Sequence, residues 1–475
     1  MIANLIAGHW CHPHTPALPV YNPATEDVLD EVPLSGPAEV TQAVTAAAEA
    51  YVGWSQTPVM ERTRLMFRYK ALLEEHAEEL AALVTRHHGK TLDEARGEVR
   101  RGIEVVDFAC GAPILLQGRT LRDVSSGVDQ DLYRYPVGVC AGIPPFNFPV
   151  MIPLWMFPLA VVAGNTFVLK PSERTPLGGA RLAELFLDAG FPPGVLNVVN
   201  GAGTTVDALL GHPSVAAISF VGSATVAQHV YTEAAAHGKR VQALGGAKNH
   251  MVVMPDADLE LAVPAILNSA FGNAGERCLA GSVAVAVGRA ADGVLEPLRD
   301  AASRMVVGPG DEQGVQVGPL IRAEHRDRVA SYVEAGVAEG AELVVDGRPQ
   351  MSRRGFFLGP TILDRVTPSM SVGREEIFGP VLSISRAATL DEAIAQANAS
   401  ALGNMATIFT QSGRSGREFR ERVEAGMTGI NVPVAQPFAF FPFSGWKGSF
   451  YGDLHVHGTD GIDFYTRKKV VVTRW

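Results

Sequence analysis

Apolar positions along this chain change their period twice. Across 61–89, Leu65, Tyr69, Leu72, Leu73, Leu80 and Val84 recur near the helical period, which predicts one amphipathic helix stopped by Gly89. Thr91 followed by Glu94 is a capping-box pattern for a second helix, which carries Arg96, Arg100 and Arg101. From 137 to 246 short β-prone runs beginning at 137, 166, 195, 217 and 240 alternate with helical stretches at 150–164, 176–190, 204–212 and 224–238. Strands separated by helices predict a parallel, doubly wound sheet, because parallel neighbours need crossover connections. Such sheets bind ligands beyond the carboxyl ends of their strands.

A second set of alternating segments follows Asn249 and ends near Ser444. The stretch 121–135 reads as a projecting strand pair and the tail 457–475 as a further β-prone run. Exposed strands of this kind pair across subunit interfaces, since an open edge is a liability.

At 475 residues the chain is too long for one hydrophobic core, so two or three domains are expected. A net charge of -10 with no concentrated basic face argues against nucleic acid. Arg467, Lys468 and Lys469 form the one basic cluster and read as a solvated strand edge. Residues 135–169 lack any formal charge, yet prolines at 136, 144, 145, 149, 153 and 158 deny them a straight membrane span. They read as core around a cleft. Four cysteines make no disulfide framework, and the first residues, MIANLIAGHW, show no secretory or organellar address, so a reducing cytoplasmic setting is expected.

Cys278 stands in FGNAGERCLA, among small residues and beside Arg277. A thiol there is approachable, and the adjacent cation favours its thiolate, which is how a covalent nucleophile is prepared. Cys11, Cys110 and Cys140 have no base nearby and read as packing residues. His455 and His457 read as solvated loop histidines, and no metal site is expected.

The segments PPFNFP (144–149), FVLKPSE (167–173), FVGS (220–223), GERC (275–278) and EEIFGPV (375–381) resemble, in order and spacing, the signature series of the NAD(P)-dependent aldehyde dehydrogenase superfamily. The run 138–174, together with GAKNH (246–250), resembles the CoA-acylating methylmalonate-semialdehyde dehydrogenases. The resemblance implies an α/β fold with a Rossmann-type NAD-binding domain (1–120 and 138–245), a catalytic domain (246–444) and a small β oligomerisation element (121–137 and 445–475). It also implies a homodimer or homotetramer.

By the same resemblance Cys278 is the nucleophile, and the Asn147 side chain joins the Cys278 N–H as oxyanion donors. Pro144, Phe146, Lys170, Glu173, Arg174, Gly222, Ser223, Gly245, Glu376 and Phe378 are the expected NAD contacts. A carboxylate at Glu173 accepts from a free 2′-hydroxyl and repels a 2′-phosphate, so NAD is favoured over NADP. Arg101 and Arg277 are the candidates to grip a substrate carboxylate.

Hydrolytic members carry a glutamate 34 residues before the nucleophile; here that position is Leu244, and Ala243 precedes it. Water, with a pKa of about 15.7, needs a base to attack a thioester, whereas a thiol near about 8.5 does not. The expected reaction is therefore NAD-dependent oxidation of methylmalonate or malonate semialdehyde, with CoA as co-substrate, to propanoyl-CoA or acetyl-CoA and CO2. A hydrolytic dehydrogenase, for example of succinate semialdehyde, and a catalytically silent homologue are the alternatives. Valine breakdown and inositol breakdown both stay open as the setting.

Overall fold

Residues 1–475 are described by a computed structural model, in which the five expected strands lie side by side. Val139–Ile143 is central. Thr166–Leu169 and Leu196–Val198 extend from it on one side, Val215–Val221 and Arg240–Leu244 on the other, and neighbouring strands are parallel. The chain thus leaves Val139–Ile143 in one direction and later returns to its opposite flank. That reversal opens a crevice between the carboxyl ends of Val139–Ile143 and Val215–Val221. The segments that leave those two ends begin with Pro144 and Gly222.

The crossovers are the helices Met151–Val162, Pro176–Asp188, Gly203–Gly211 and Ala224–Ala236, close to the expected stretches. Met151–Val162 is buried along its whole length, so the uncharged run is core. No helix is long and apolar enough to cross a membrane. A second sheet, drawn from residues 249–430, is seven-stranded and parallel apart from its edge strand Glu342–Val345. Val434, Ala435 and Cys278 pack against the largest apolar core, which takes in Leu244 and Val221 of the first sheet and Met405 and Met427 of the second, so the two sheets share it.

Three expectations need correction. The single helix over 61–89 is two, Val59–Glu75 and Ala77–His88, separated at His76 (φ −98°, ψ 15°). Leu73 and Leu80 are both buried seven positions apart, so the apolar period runs on across the break and hides it. Gly89 does end the second helix, in the left-handed region at φ +97°. In the tail, Gly458–Phe464 is helical before the strand Thr466–Arg474 begins. Its Ile462 and Phe464 are buried in the first core.

The segment 445–475 is also not one projecting element. Phe450–Tyr451 pairs with Arg240–Leu244 and closes the first sheet, while Thr466–Arg474 pairs with Val128–Pro136, itself paired with Arg119–Ser125. Every residue of Arg119–Ser125 is exposed.

Candidate active site

At the switch point a cleft of about 400 Å³ brings together eleven of the residues singled out in the sequence: Pro144, Phe146, Asn147, Glu173, Arg174, Gly222, Ser223, Gly245, Cys278, Glu376 and Phe378. Lys170 stands just behind, its Nζ 3.1 Å from Glu173 Oε2. Arg101 and Arg277 are not part of this wall. Arg101 pairs with Glu104 at 2.8 Å, with its guanidinium 4.7 Å from the Phe438 ring centroid. Arg277 donates to the Asn268 carbonyl at 2.7 Å.

The approach to Cys278 is an unusual stretch of backbone. After the helix Leu259–Phe271, Asn273 (φ 56°), Ala274 (φ 50°) and Gly275 (φ 72°) are left-handed in succession. Left-handed backbone costs a non-glycine residue about 1–2 kcal/mol, so the surroundings must enforce it. Two contacts do. The Asn273 N–H donates to Glu94 Oε1 at 2.6 Å, and Glu94 is the residue whose other oxygen accepts from the Thr91 N–H in the predicted capping box. Gly275 packs on the 379–380 peptide so closely that a Cβ would fall 2.1 Å from the Gly379 carbonyl oxygen. This joins GERC to EEIFGPV. Beyond the turn, the Cys278 carbonyl accepts from the Asn249 and Asn404 side-chain amides, both at 2.9 Å, which fixes the peptide that follows Cys278.

The thiol itself corrects one expectation. Burial pushes Cys278 up to about 12; the Arg277 cation pulls the other way and is outweighed. The side chain is partly exposed at the cleft, so it is reachable but held as the thiol.

Asn147 faces the same loop. Its Nδ2 donates to the Glu276 carbonyl at 2.8 Å, leaving its second amide N–H uncommitted. Its own carbonyl accepts from Lys90 Nζ at 2.6 Å. Lys90 is buried and paired with buried Glu98 at 2.6 Å, and its ammonium lies 4.0 Å from the Phe148 ring centroid. Glu98 Oε1 in turn accepts from the N–H groups of Val150 and Met151, at the start of the helix Met151–Val162. One buried ion pair therefore anchors both the Asn147 peptide and the helix that follows it.

On the other flank Ser223 begins the helix Ala224–Ala236 without capping it through its side chain, so the hydroxyl and the first-turn N–H groups remain free. Glu376 Oε1 accepts from the Ala247 N–H at 2.8 Å. A Cβ on Gly246 would meet Glu376 Oε2 at 2.4 Å, which is why the strand Arg240–Leu244 is followed there by glycine. Burial pushes Glu376 up to about 7. Phe378 (φ 60°) sets its ring edge-on to Phe146, with centroids 5.9 Å apart. Leu244 is apolar and buried at the end of its strand.

Sequence reasoning missed Arg322, His325 and Arg328, which also line the cleft, Arg322 from the residue just before the helix Ala323–Ala338 and the other two from its first turns. Their three-residue spacing was the available signal, though it is equally the spacing of a solvated helix face. Glu276 was missed too, and its carboxylate is fully buried. His457, expected in solvent, is buried against Trp155, with ring centroids 5.1 Å apart.

A thiol and a side-chain amide face one crevice at the switch point of a doubly wound sheet, the arrangement of an aldehyde dehydrogenase, and comparison agrees. The aldehyde dehydrogenase family model matches residues 10–471, and the chain belongs to that family. Over the whole chain it is 57% identical to malonate-semialdehyde dehydrogenase 2 of Geobacillus kaustophilus, covering 99% of that protein. It is 54% identical to malonate-semialdehyde dehydrogenase of Halalkalibacterium halodurans, covering 98%. Among solved structures, the methylmalonate-semialdehyde dehydrogenase of Oceanimonas doudoroffii superposes with a TM-score of 0.98 at 48% identity, covering 100% of this chain and 98% of that one. A Sinorhizobium meliloti 1021 protein solved with NAD does so at 0.98 and 44%, with the same coverage.

Proposed function

We propose that this protein oxidises malonate or methylmalonate semialdehyde with NAD and passes the acyl group to CoA, releasing CO2 and acetyl-CoA or propanoyl-CoA. The observation that carries this is the pairing of Cys278 and Asn147 in one cleft while the position of the hydrolytic glutamate is occupied by Leu244. The relatives named for these two semialdehydes support the substrate class.

Cys278 Sγ adds to the aldehyde carbonyl carbon while its proton passes to solvent through the open cleft, forming a thiohemiacetal whose oxygen carries the negative charge. The free Asn147 N–H and the Cys278 N–H are the donors for its oxyanion. NAD, when bound, supplies the hydride acceptor that converts the thiohemiacetal to a thioester. The chain offers it a fitting bed: uncommitted N–H groups at the start of Ala224–Ala236 for a pyrophosphate, Lys170 and Glu173 for the adenosine ribose, and Glu376 for the second ribose. In the acyl enzyme the substrate carboxylate lies β to the thioester carbonyl, so loss of CO2 is easy, and Arg101 and Arg277 are the proposed carboxylate holders.

The carboxylates lining the cleft are Glu173, paired with Lys170, and Glu376, tied to Ala247; Glu276 turns its side chain towards His88 and His325. With no dedicated base for water, a thiol co-substrate has the advantage. The open edges of the three-stranded sheet support a homodimer or homotetramer, and four free cysteines support a cytoplasmic setting.

The test is product analysis with each semialdehyde and NAD, with and without CoA. Acyl-CoA and CO2, with steady NADH formation only when CoA is present, are expected. Equal steady rates without CoA, yielding free acid, would remove the acyl-transfer assignment and leave hydrolysis.

A further inference from the structure

Residues 277–280 form a second turn, closed by the Ala280 N–H, which donates to the Arg277 carbonyl at 2.9 Å. Cys278 and Leu279 are its two central residues, and neither of their N–H groups meets an oxygen or nitrogen acceptor. The carbonyl between them has two donors. It accepts from Asn249 Nδ2 and Asn404 Nδ2, both at 2.9 Å, and both asparagines are buried. Asn249 also donates to the Ala280 carbonyl at 2.8 Å and accepts from the Met405 N–H at 3.0 Å, so its amide is fully committed to this one junction.

The strand Gly281–Val287 leaves this turn, its parallel neighbour is Asn249–Val253, and Met405–Phe409 lies on the far side of that neighbour. Side chains at the beginnings of the second and third strands therefore reach across to the turn that precedes the first. A planar trans peptide points its N–H opposite its carbonyl. With the Cys278 carbonyl fixed on two amides, the Leu279 N–H faces the other way, and it and the Cys278 N–H are the backbone donors at Cys278 Sγ. Flipping this peptide would break both side-chain contacts and drive Leu279, whose φ is not positive, towards the left-handed region that a branched side chain resists.

We propose that the Leu279 N–H is a second main-chain donor to the Cys278 sulfur, and that Asn249 and Asn404 are positioning residues that aim and strengthen it through the carbonyl of the same peptide. Hydrogen bonds accepted at one end of a peptide polarise it and strengthen the donor at the other. The sulfur carries its negative charge before it bonds the aldehyde carbon, so this donor serves the attacking thiolate, whereas Asn147 serves the oxygen that is charged afterwards. Burial opposes the thiolate most; of the charges that face Sγ, Arg277 favours it and Glu376 opposes it, and the two N–H groups act with Arg277. Both charges stay in place in the variants below.

The proposal rests on the functional reading only in taking Cys278 as the nucleophile, and its first test needs no substrate. Alkylation of Cys278 by iodoacetamide, read by peptide mass spectrometry from about pH 7 to pH 9, is compared in three proteins. They are wild type, Asn404→Leu, which keeps the side-chain size and removes the donor, and a chain in which Leu279 is replaced by its α-hydroxy acid, which puts an ester oxygen where the N–H stood. NAD binding establishes that each is folded. Both variants should react about tenfold more slowly than wild type across the range, the effect of losing one hydrogen bond to a charged group. Their NADH burst at saturating NAD and semialdehyde should fall about as much, with NAD affinity within about twofold of wild type. A purely structural loosening would instead expose the thiol and speed its alkylation. Alkylation faster than wild type, or within about twofold of it, in either folded variant would overturn the proposal. Should N404L bind no NAD, the ester variant alone decides. An absent burst in wild type with either semialdehyde would refute the functional assignment and leave the alkylation result to decide this one.

Discussion

Asn147 donates its side-chain amide to the carbonyl of Glu276 at 2.8 Å, so the proposed oxyanion donor is oriented by the loop that carries Cys278. Asn147→Ala should lower the NADH burst rate by about 10² to 10³-fold, the usual loss for one oxyanion donor, with NAD affinity within about threefold of wild type. Rapid-mixing absorbance at saturating NAD checks this, and a loss confined to NAD affinity would contradict it.

Lys90 and Glu98 are both buried, and each serves a second master: Asn147 for the lysine, the start of Met151–Val162 for the glutamate. Lys90→Met leaves a carboxylate buried without its cation and should cost about 3–5 kcal/mol in denaturant unfolding. The double variant Lys90→Met with Glu98→Gln should be less destabilised than the sum of the single losses, since no unpaired charge remains. Strict additivity would mean the two groups are not coupled.

In the unliganded protein burial holds Cys278 near about 12, above its ordinary value, so the thiolate is scarce at neutral pH. Alkylation by iodoacetamide, followed by peptide mass spectrometry, should rise about tenfold per pH unit between 7 and 10 without a plateau. A plateau below pH 9 would show that Arg277 dominates after all.

Glu376 has a folded-state pKa of about 7, raised from its ordinary 4.5 by burial. A raised carboxyl stabilises the fold while neutral and loses that contribution as pH climbs from about 4.5 through 7. Acceptance of ribose hydroxyls needs the ionised form, so NAD affinity should strengthen from pH 6 to pH 8, and in Glu376→Gln it should be weak and flat. Calorimetric titration at the two pH values reads this directly.

A Cβ at residue 275 would meet the Gly379 carbonyl oxygen, and φ is +72°. Gly275→Ala should therefore abolish the burst while NAD, bound through the other sheet, still protects the fold against heat. Retained activity would show that the loop has freedom which the packing denies.

The doubly wound sheet was legible because its strands and crossovers alternate cleanly between Val139 and Leu244, and the cleft followed from where the order reverses. Cys278 stood out through the small residues and the cation beside it, whereas Asn147, flanked by prolines, reads alone equally as a turn residue and was picked out by the family resemblance; the structure places both on one cleft. What stayed hidden was set by three-dimensional neighbours. The break at His76 leaves the apolar period intact, and Glu276 reads as a surface charge until the fold encloses it between two histidines. Arg277 shows the same limit in reverse: adjacency in sequence suggested a thiolate partner, whereas burial decides the thiol's state.

The left-handed turn at 273–275 has a consequence for redesign. Because the path to the sulfur is set by backbone torsions that Glu94 and the 379–380 peptide enforce, libraries that vary residues outside those contacts, such as Arg101, can leave the Cys278 sulfur where it is. A library that touches those three positions would shift it, and would mistake a displaced nucleophile for an altered preference.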